Sequence, residues 1–271
     1  MLSAKSRILA VSAVLAAFIY PIVEIWAFEL LKEFVFIASL AVLGIAALIA
    51  HIAKVAEGGS ILDIFKSRFN THDFLAGVLI AGIFFVPAYL LLNLTGIEGI
   101  TGAISENVTF VVSYGIYSAI LHGLAVGLIY IGIVQRNLRI VLGKRSVLAT
   151  SALFALAPIL TDAVSNTLTS PKEYGIICFS SFMLMAVAVE AYERVRSIDI
   201  ALSFFVSYNL LNWFGYRYLR VYSSDPVQSY AVFWIFAIIA YFSVKYIIQT
   251  PVISKHKEKR LKKLVKKRKK K

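Results

Sequence analysis

Residues Phe34 to Ala53 read FVFIASLAVLGIAALIAHIA, without one Asp, Glu, Lys or Arg, and are closed by Lys32-Glu33 before and Lys54 after. The hydrocarbon core of a bilayer takes about 20 apolar residues of helix, with a working range of roughly 17–25. A run of this length, charged only at its borders, predicts a helix that crosses a membrane. The chain as a whole agrees: of 271 residues 59% are hydrophobic and 16% charged, and the mean hydropathy is +0.79. Soluble domains are roughly 45–50% apolar and about a quarter charged. One water-soluble core of this size cannot bury that excess, so the soluble globular class is excluded.

Working outward from Phe34–Ala53, further runs of the same kind lie at about Ile8–Leu31, Phe74–Thr95, Val108–Val134, Ser146–Ser165, Tyr174–Tyr192, Ile200–Tyr216 and Val227–Gln249. The first follows Lys5 and Arg7 as a secretion signal would. It runs too long for one, carries Glu24 and Glu29, and lacks a small-residue cleavage site, so it reads as a retained helix. The expected fold is all-α: a polytopic bundle of about eight transmembrane helices over residues 1–254.

The net charge of +13 suggests nucleic acid at first sight. Its distribution says otherwise. Twelve Lys and Arg and one Glu crowd into residues 255–271, a net +11, which leaves +2 for everything before them. Cytoplasmic loops of membrane proteins are enriched in Lys and Arg. With eight crossings both termini share a side, and the tail makes that side cytoplasmic. The inner segments then hold Lys5, Arg7, Lys54, Lys66, Arg68, Arg136, Arg139, Lys144, Arg145, Arg194 and Arg196, against Lys32, Lys172, Arg217 and Arg220 outside. A plasma-membrane protein with both termini in the cytoplasm is expected.

Two connecting segments have their own character. After Gly58-Gly59, residues 60–69 place Ile61, Leu62, Phe65 and Phe69 on one helical face and Asp63, Lys66 and Arg68 on the other. This spacing predicts a short amphipathic helix in the cytoplasmic interface. The segment Gly96–Asn107 has glycines and no Lys or Arg, as expected of an outer loop, and ends in the sequon Asn107-Val108-Thr109. Cys178 is the sole cysteine, which excludes a disulfide framework and a multi-cysteine metal site. No phosphate-binding glycine loop, His/Glu metal pair or internal repeat is present; no cofactor, metal or DNA partner is expected.

Ionisable side chains in a bilayer are costly and mark sites by default. Here they are Glu24, His51, His122, Asp162, Glu190 and Lys245. All but His122 and Asp162 read as interfacial groups that snorkel from a helix end, and Asp162, with Asn166, reads as a helix cap. His122 lies deep in the longest run, where a hydrogen bond to a neighbouring helix is the plain reading. Asn209 and Asn212, one turn apart, are suited to tie two helices together.

The stretch Val126–Leu160 reads VGLIYIGIVQRNLRIVLGKRSVLATSALFALAPIL, and Tyr192–Ile198 reads YERVRSI. Together they resemble the CPBP family, the type II CAAX prenyl proteases and abortive-infection proteins. The resemblance implies eight spans and a glutamate-based intramembrane endopeptidase site, and it extends over roughly Val108–Phe214. In the family's first motif two Glu are followed, after three residues, by Arg; those positions are Val126, Gly127 and Ile131 here, while Gly132, Gln135, Arg136 and Leu138 match the trailing part. The second motif is Phe, three residues, His, and stands as Phe154 and Pro158. The third expects His and, four residues on, Asn or Asp; it stands as Phe205 and Asn209, or as Tyr208 and Asn212.

Peptide hydrolysis needs a base for water and donors for the oxyanion. Val126, Gly127, Pro158 and Phe205 supply neither. His122, one turn before Val126 on the same face, is the one group placed to substitute as a base. The sequence therefore points to a non-catalytic CPBP-like membrane protein that acts as a scaffold, accessory or chaperone-like subunit of a membrane complex. An active endopeptidase with non-standard residues is the alternative. So is a biogenesis factor docked on the ribosome. The cations for either tail partner, anionic lipid or ribosomal RNA, are Lys255, Lys257, Lys259, Arg260, Lys262, Lys263, Lys266, Lys267, Arg268, Lys269, Lys270 and Lys271. A thiol enzyme of the exosortase type, with Cys178 as nucleophile and Arg217 and Arg220 nearby, is allowed by topology, but Cys178-Phe179-Ser180-Ser181 matches its signature poorly.

Overall fold

A computed structural model describes residues 4–31, 34–64, 70–96, 98–100, 108–160, 171–214, 221–223 and 226–248 of the chain. Over these residues every expected run is helical. Helix α1 spans Ala4–Leu30, α2 Val35–Ala56, α3 Thr71–Leu94, α4 Val108–Val126, α5 Arg136–Leu142, α6 Ser146–Ala155, α7 Pro171–Val195, α8 Ile198–Asn212 and α9 Pro226–Ile248. A π-helical segment, Gly127–Gln135, links α4 to α5. Among the described residues six stretches are long and apolar enough to cross a membrane, and α8 is shorter. The expected all-α class needs one addition, an antiparallel ribbon of β1, Glu98–Ile100, with β2, Val221–Ser223, in which Gly99 faces Tyr222.

The packing is that of a bundle in lipid. In α2, Ala38, Val42, Ala46 and Ala50 are buried, while Ile37, Leu40, Leu48, Ile52 and Val55 are exposed. A soluble helix keeps its large apolar residues inside. In a bilayer nothing drives them inward, and small residues at the interface let backbones approach. Large apolar side chains also stand bare on α1, α3 and α9, among them Leu15, Leu79 and Phe242.

The longest apolar stretch, Gly115–Leu160, has 46 residues. As a straight α-helix it would extend about 69 Å, over twice a bilayer's core. It is a hairpin instead. Thr150 Oγ1 donates to Gln135 Oε1 at 2.7 Å, although a rod would hold these residues some 20 Å apart. The reversal falls at Gly143 (φ 60°, ψ −128°), a conformation that side chains with a Cβ rarely adopt.

Helix α8 packs chiefly on α3 and α4, and its first half is buried. Glycines allow this. A Cβ on Gly77 would strike Ser203 and the Ile200 carbonyl, and one on Gly115 the Trp213 ring; one on Gly123 would come within 2.7 Å of Val206 Cα. At its start, the Asp199 carboxylate accepts from Asn70 N (3.0 Å) and Ser197 Oγ (3.1 Å), placing negative charge at the positive end of the helix dipole. Asn70 in turn caps α3, accepting from His72 N at 3.3 Å.

Of the expected amphipathic helix at 60–69, only the beginning is described. It is a 3-10 turn, Ile61–Asp63, with a reciprocal cap between Ser60 and Asp63. Residues 65–69 lie outside the described residues, as does the tail 255–271.

Candidate functional site

The π segment is buried along its whole length, and Ile129, Tyr130, Ile131, Ile133 and Val134 are all 0% exposed. Its β-branched and aromatic side chains crowd a regular helix, and π turns collect at functional sites. Glycines again govern its neighbours: a Cβ on Gly127 would meet Leu202 Cδ2 at 2.7 Å.

This packing brings the candidate motif positions together. Val126 and Gly127 stand where α4 passes into the π segment, and Ile131 is one turn further. Phe154 on α6 meets Tyr130 edge-on, with centroids 4.8 Å apart, and lies 6.4 Å from Phe205 on α8. The three segments thus converge, and aromatic rings fill the point of convergence. Phe205 is 5.4 Å from Phe204, whose ring stacks on Tyr208 at 6.5 Å. Tyr208 continues to Phe84 and Phe85 of α3. Pro158, Asn209 and Asn212 are half-buried.

His122 has a partner that the sequence did not foretell. Its Nδ1 lies 2.6 Å from Oε1 of Glu24, with the His122 side chain 36% exposed and Glu24 18%. An Nδ1–H donated to the carboxylate leaves Nε2 able to accept. Tyr20, one turn before Glu24, is buried against Tyr130 in a T-shaped contact of 6.3 Å. Tyr130 Oη donates to the Ala17 carbonyl at 3.1 Å. Glu24 lies six residues before the end of α1 and reaches His122 across the helix interface.

A second polar cluster closes the other end of the π segment. Gln135 is fully buried, and its Nε2 donates to Ser146 Oγ (2.9 Å) and Glu193 Oε1 (2.7 Å). Arg139 and Arg196 both pair with Glu193, the latter at 2.7 Å. Asn137 donates to Ser12 Oγ at 3.0 Å and to Glu57, which also pairs with Lys54. A cavity of about 310 Å³ opens beside Glu57, walled by Ile8, Leu9, Ala56 and Gly58.

The remaining expectations are placed simply. His51 is exposed near the end of α2, Glu190 pairs with Arg194 at 2.7 Å, and Cys178 is half-buried on α7. Lys245 lies on α9. Asp162, Asn166, Arg217, Arg220 and every tail cation lie outside the described residues.

Fold and packing define the class: a helical, multi-pass membrane protein. Compared with family models, curated proteins and solved structures, the chain matches none.

Proposed function

We propose that the chain is a non-catalytic, CPBP-like integral membrane protein that serves as an accessory or chaperone-like subunit of a membrane complex. One observation carries the reading. The positions corresponding to the family's three motifs meet around Tyr130, Phe154 and Phe205, and rings fill the space that hydrolysis would need for water. Val126 and Ile131 are buried in the same core and cannot transfer a proton. In this reading the hairpin at Gly143 counts as two crossings and α8 as another, which gives eight, with both termini in the cytoplasm of the plasma membrane. The tail then faces anionic lipid or the ribosome.

The test is isolation from native membranes by an affinity tag, without crosslinking, in a mild detergent. A stoichiometric membrane-protein partner is expected. Recovery of the chain alone, together with turnover of prenylated or transmembrane peptides, would overturn the proposal. Ribosome co-sedimentation, lost when residues 255–271 are neutralised, would assign the tail to RNA; retention on anionic vesicles alone would assign it to lipid.

A second reading has its own observation. His122 paired with Glu24 at 2.6 Å is an imidazole oriented by a carboxylate, an arrangement that serves a general base. On this reading Nε2 activates water and Glu24 holds the ring. Peptidase turnover abolished by His122→Ala and retained by Cys178→Ala would favour it over the first.

A further inference from the structure

The bundle end at which α5 stops, α6 begins and α7 finishes carries Arg136, Arg139, Lys144, Arg145, Arg194 and Arg196. Lys54 belongs to the same end, and the carboxylates there are Glu57, Asp63, Glu190, Glu193 and the buried Asp73 and Asp199, so these cations outnumber them by one.

Two of the arginines are arranged unusually. Arg139 and Arg196 share one carboxylate, that of Glu193, which is only 15% exposed, while each arginine side chain is 39% exposed. Arg196 grips it with both ends, Nη2 at 2.7 Å and Nη1 at 3.0 Å. The buried Gln135 amide occupies the carboxylate as well. Glu193 is therefore saturated. It acts as a clamp that holds two guanidinium groups side by side with a net positive charge between them.

The backbone supports the clamp at a cost. Arg196 is the sole residue other than glycine with positive φ among the described residues, at 61°. Its N–H closes α7 by donating to the Tyr192 carbonyl at 2.7 Å. Helices commonly end in this way, but with glycine at the left-handed position. An arginine retained there exchanges conformational ease for a guanidinium at a fixed point. Apolar side chains flank the same rim: Ile140 is 61% exposed and Leu142 42%.

We propose that this rim is a binding site for the phosphate of an anionic phospholipid, held by the N–H groups of Arg139 and Arg196 that point away from Glu193, with Ile140 and Leu142 against the acyl chains. Planar guanidinium forks suit phosphate oxygens in paired geometry, and the inner leaflet is where anionic lipids collect. The site rests on the inward orientation given under the proposed function, but not on the accessory role itself.

The experiment uses the full-length protein in a neutral detergent and follows thermal unfolding with added phosphatidylglycerol, phosphatidylcholine or inorganic phosphate. Phosphatidylglycerol is expected to raise the midpoint by several degrees and the other two to do little. In Arg139→Gln/Arg196→Gly that rise falls by more than half, and a full-length variant with the tail lysines changed to glutamine keeps it. Arg196→Gly alone, which also relieves the left-handed backbone, is read if the double variant does not fold. An undiminished rise in the rim variants, no rise in the wild type, an equal rise with inorganic phosphate, or a rise abolished by the tail changes would each overturn the site. Failure of the accessory-subunit reading shows up separately, as recovery of the chain without a partner.

Discussion

Glu24 of α1 and His122 of α4 meet at 2.6 Å inside the apolar part of the bundle. A carboxylate there needs a donor, because lipid supplies none. Each residue explains the other: the imidazole satisfies the acid, and the acid fixes which ring nitrogen carries the proton. A double-mutant cycle with Glu24→Gln and His122→Gln should therefore show coupling of about 1 kcal/mol or more, above the ~0.6 kcal/mol usual between transmembrane helices. Additive effects in unfolding measurements would mean that the pair is not formed.

Gly77 and Gly44 make opposite predictions. A methyl group on Gly77 collides with Ser203 and the Ile200 carbonyl, whereas nothing lies within 4 Å of one on Gly44. Gly77→Ala should force α3 from α8 and destabilise by about 3 kcal/mol, the upper range for an overpacked core. Gly44→Ala should be neutral or stabilise by under ~1 kcal/mol through helix propensity. Equal unfolding midpoints for the two variants would contradict the close approach.

Gln135 joins α6 and α7 to the π segment through Ser146, Thr150 and Glu193. Gln135→Leu keeps the volume but removes every bond. Each partner left unsatisfied costs about 1–3 kcal/mol, so a loss of at least ~2 kcal/mol is expected. Thr150→Ala, which removes only the bond that Thr150 Oγ1 donates to Gln135 Oε1, should lose less than half as much in the same chemical denaturation.

Phe205 sits in the ring cluster at 2% exposure. Phe205→Ala should cost about 3–5 kcal/mol as a cavity forms and should confer no peptidase activity. Turnover gained by this variant would show that the ring alone keeps the site silent.

Helix positions were readable because bilayer thickness sets a length and charge marks the borders; α3, α7 and α9 fall within three residues of where composition places them. What hydropathy could not supply was contact. That Gln135 and Thr150 touch depends on a backbone conformation at Gly143, which hydropathy does not encode. The pairing of Glu24 with His122 was not legible, because the two lie far apart in sequence. The segments that carry Tyr130, Phe154 and Phe205 are far apart in sequence, and the structure brings them together around Phe154. The filling of their junction by aromatic rings was half legible, since Phe154 and Phe205 were named while Tyr130, which completes the cluster, was not. The π segment had no signal beyond a crowd of β-branched side chains.

The packing of α8 on α3 and α4 bears on the order in which the bundle can form. The 15 residues of α8 would extend only about 22 Å, and they include Asp199, Ser203, Asn209 and Asn212, so alone it is a poor candidate to enter a bilayer. Its berth is lined by Gly77, Gly115 and Gly123, all synthesised earlier. Because α3 and α4 precede α8 in the chain, the close glycine contacts that seat α8 can form only after both have been made, and α8 completes the bundle rather than nucleates it.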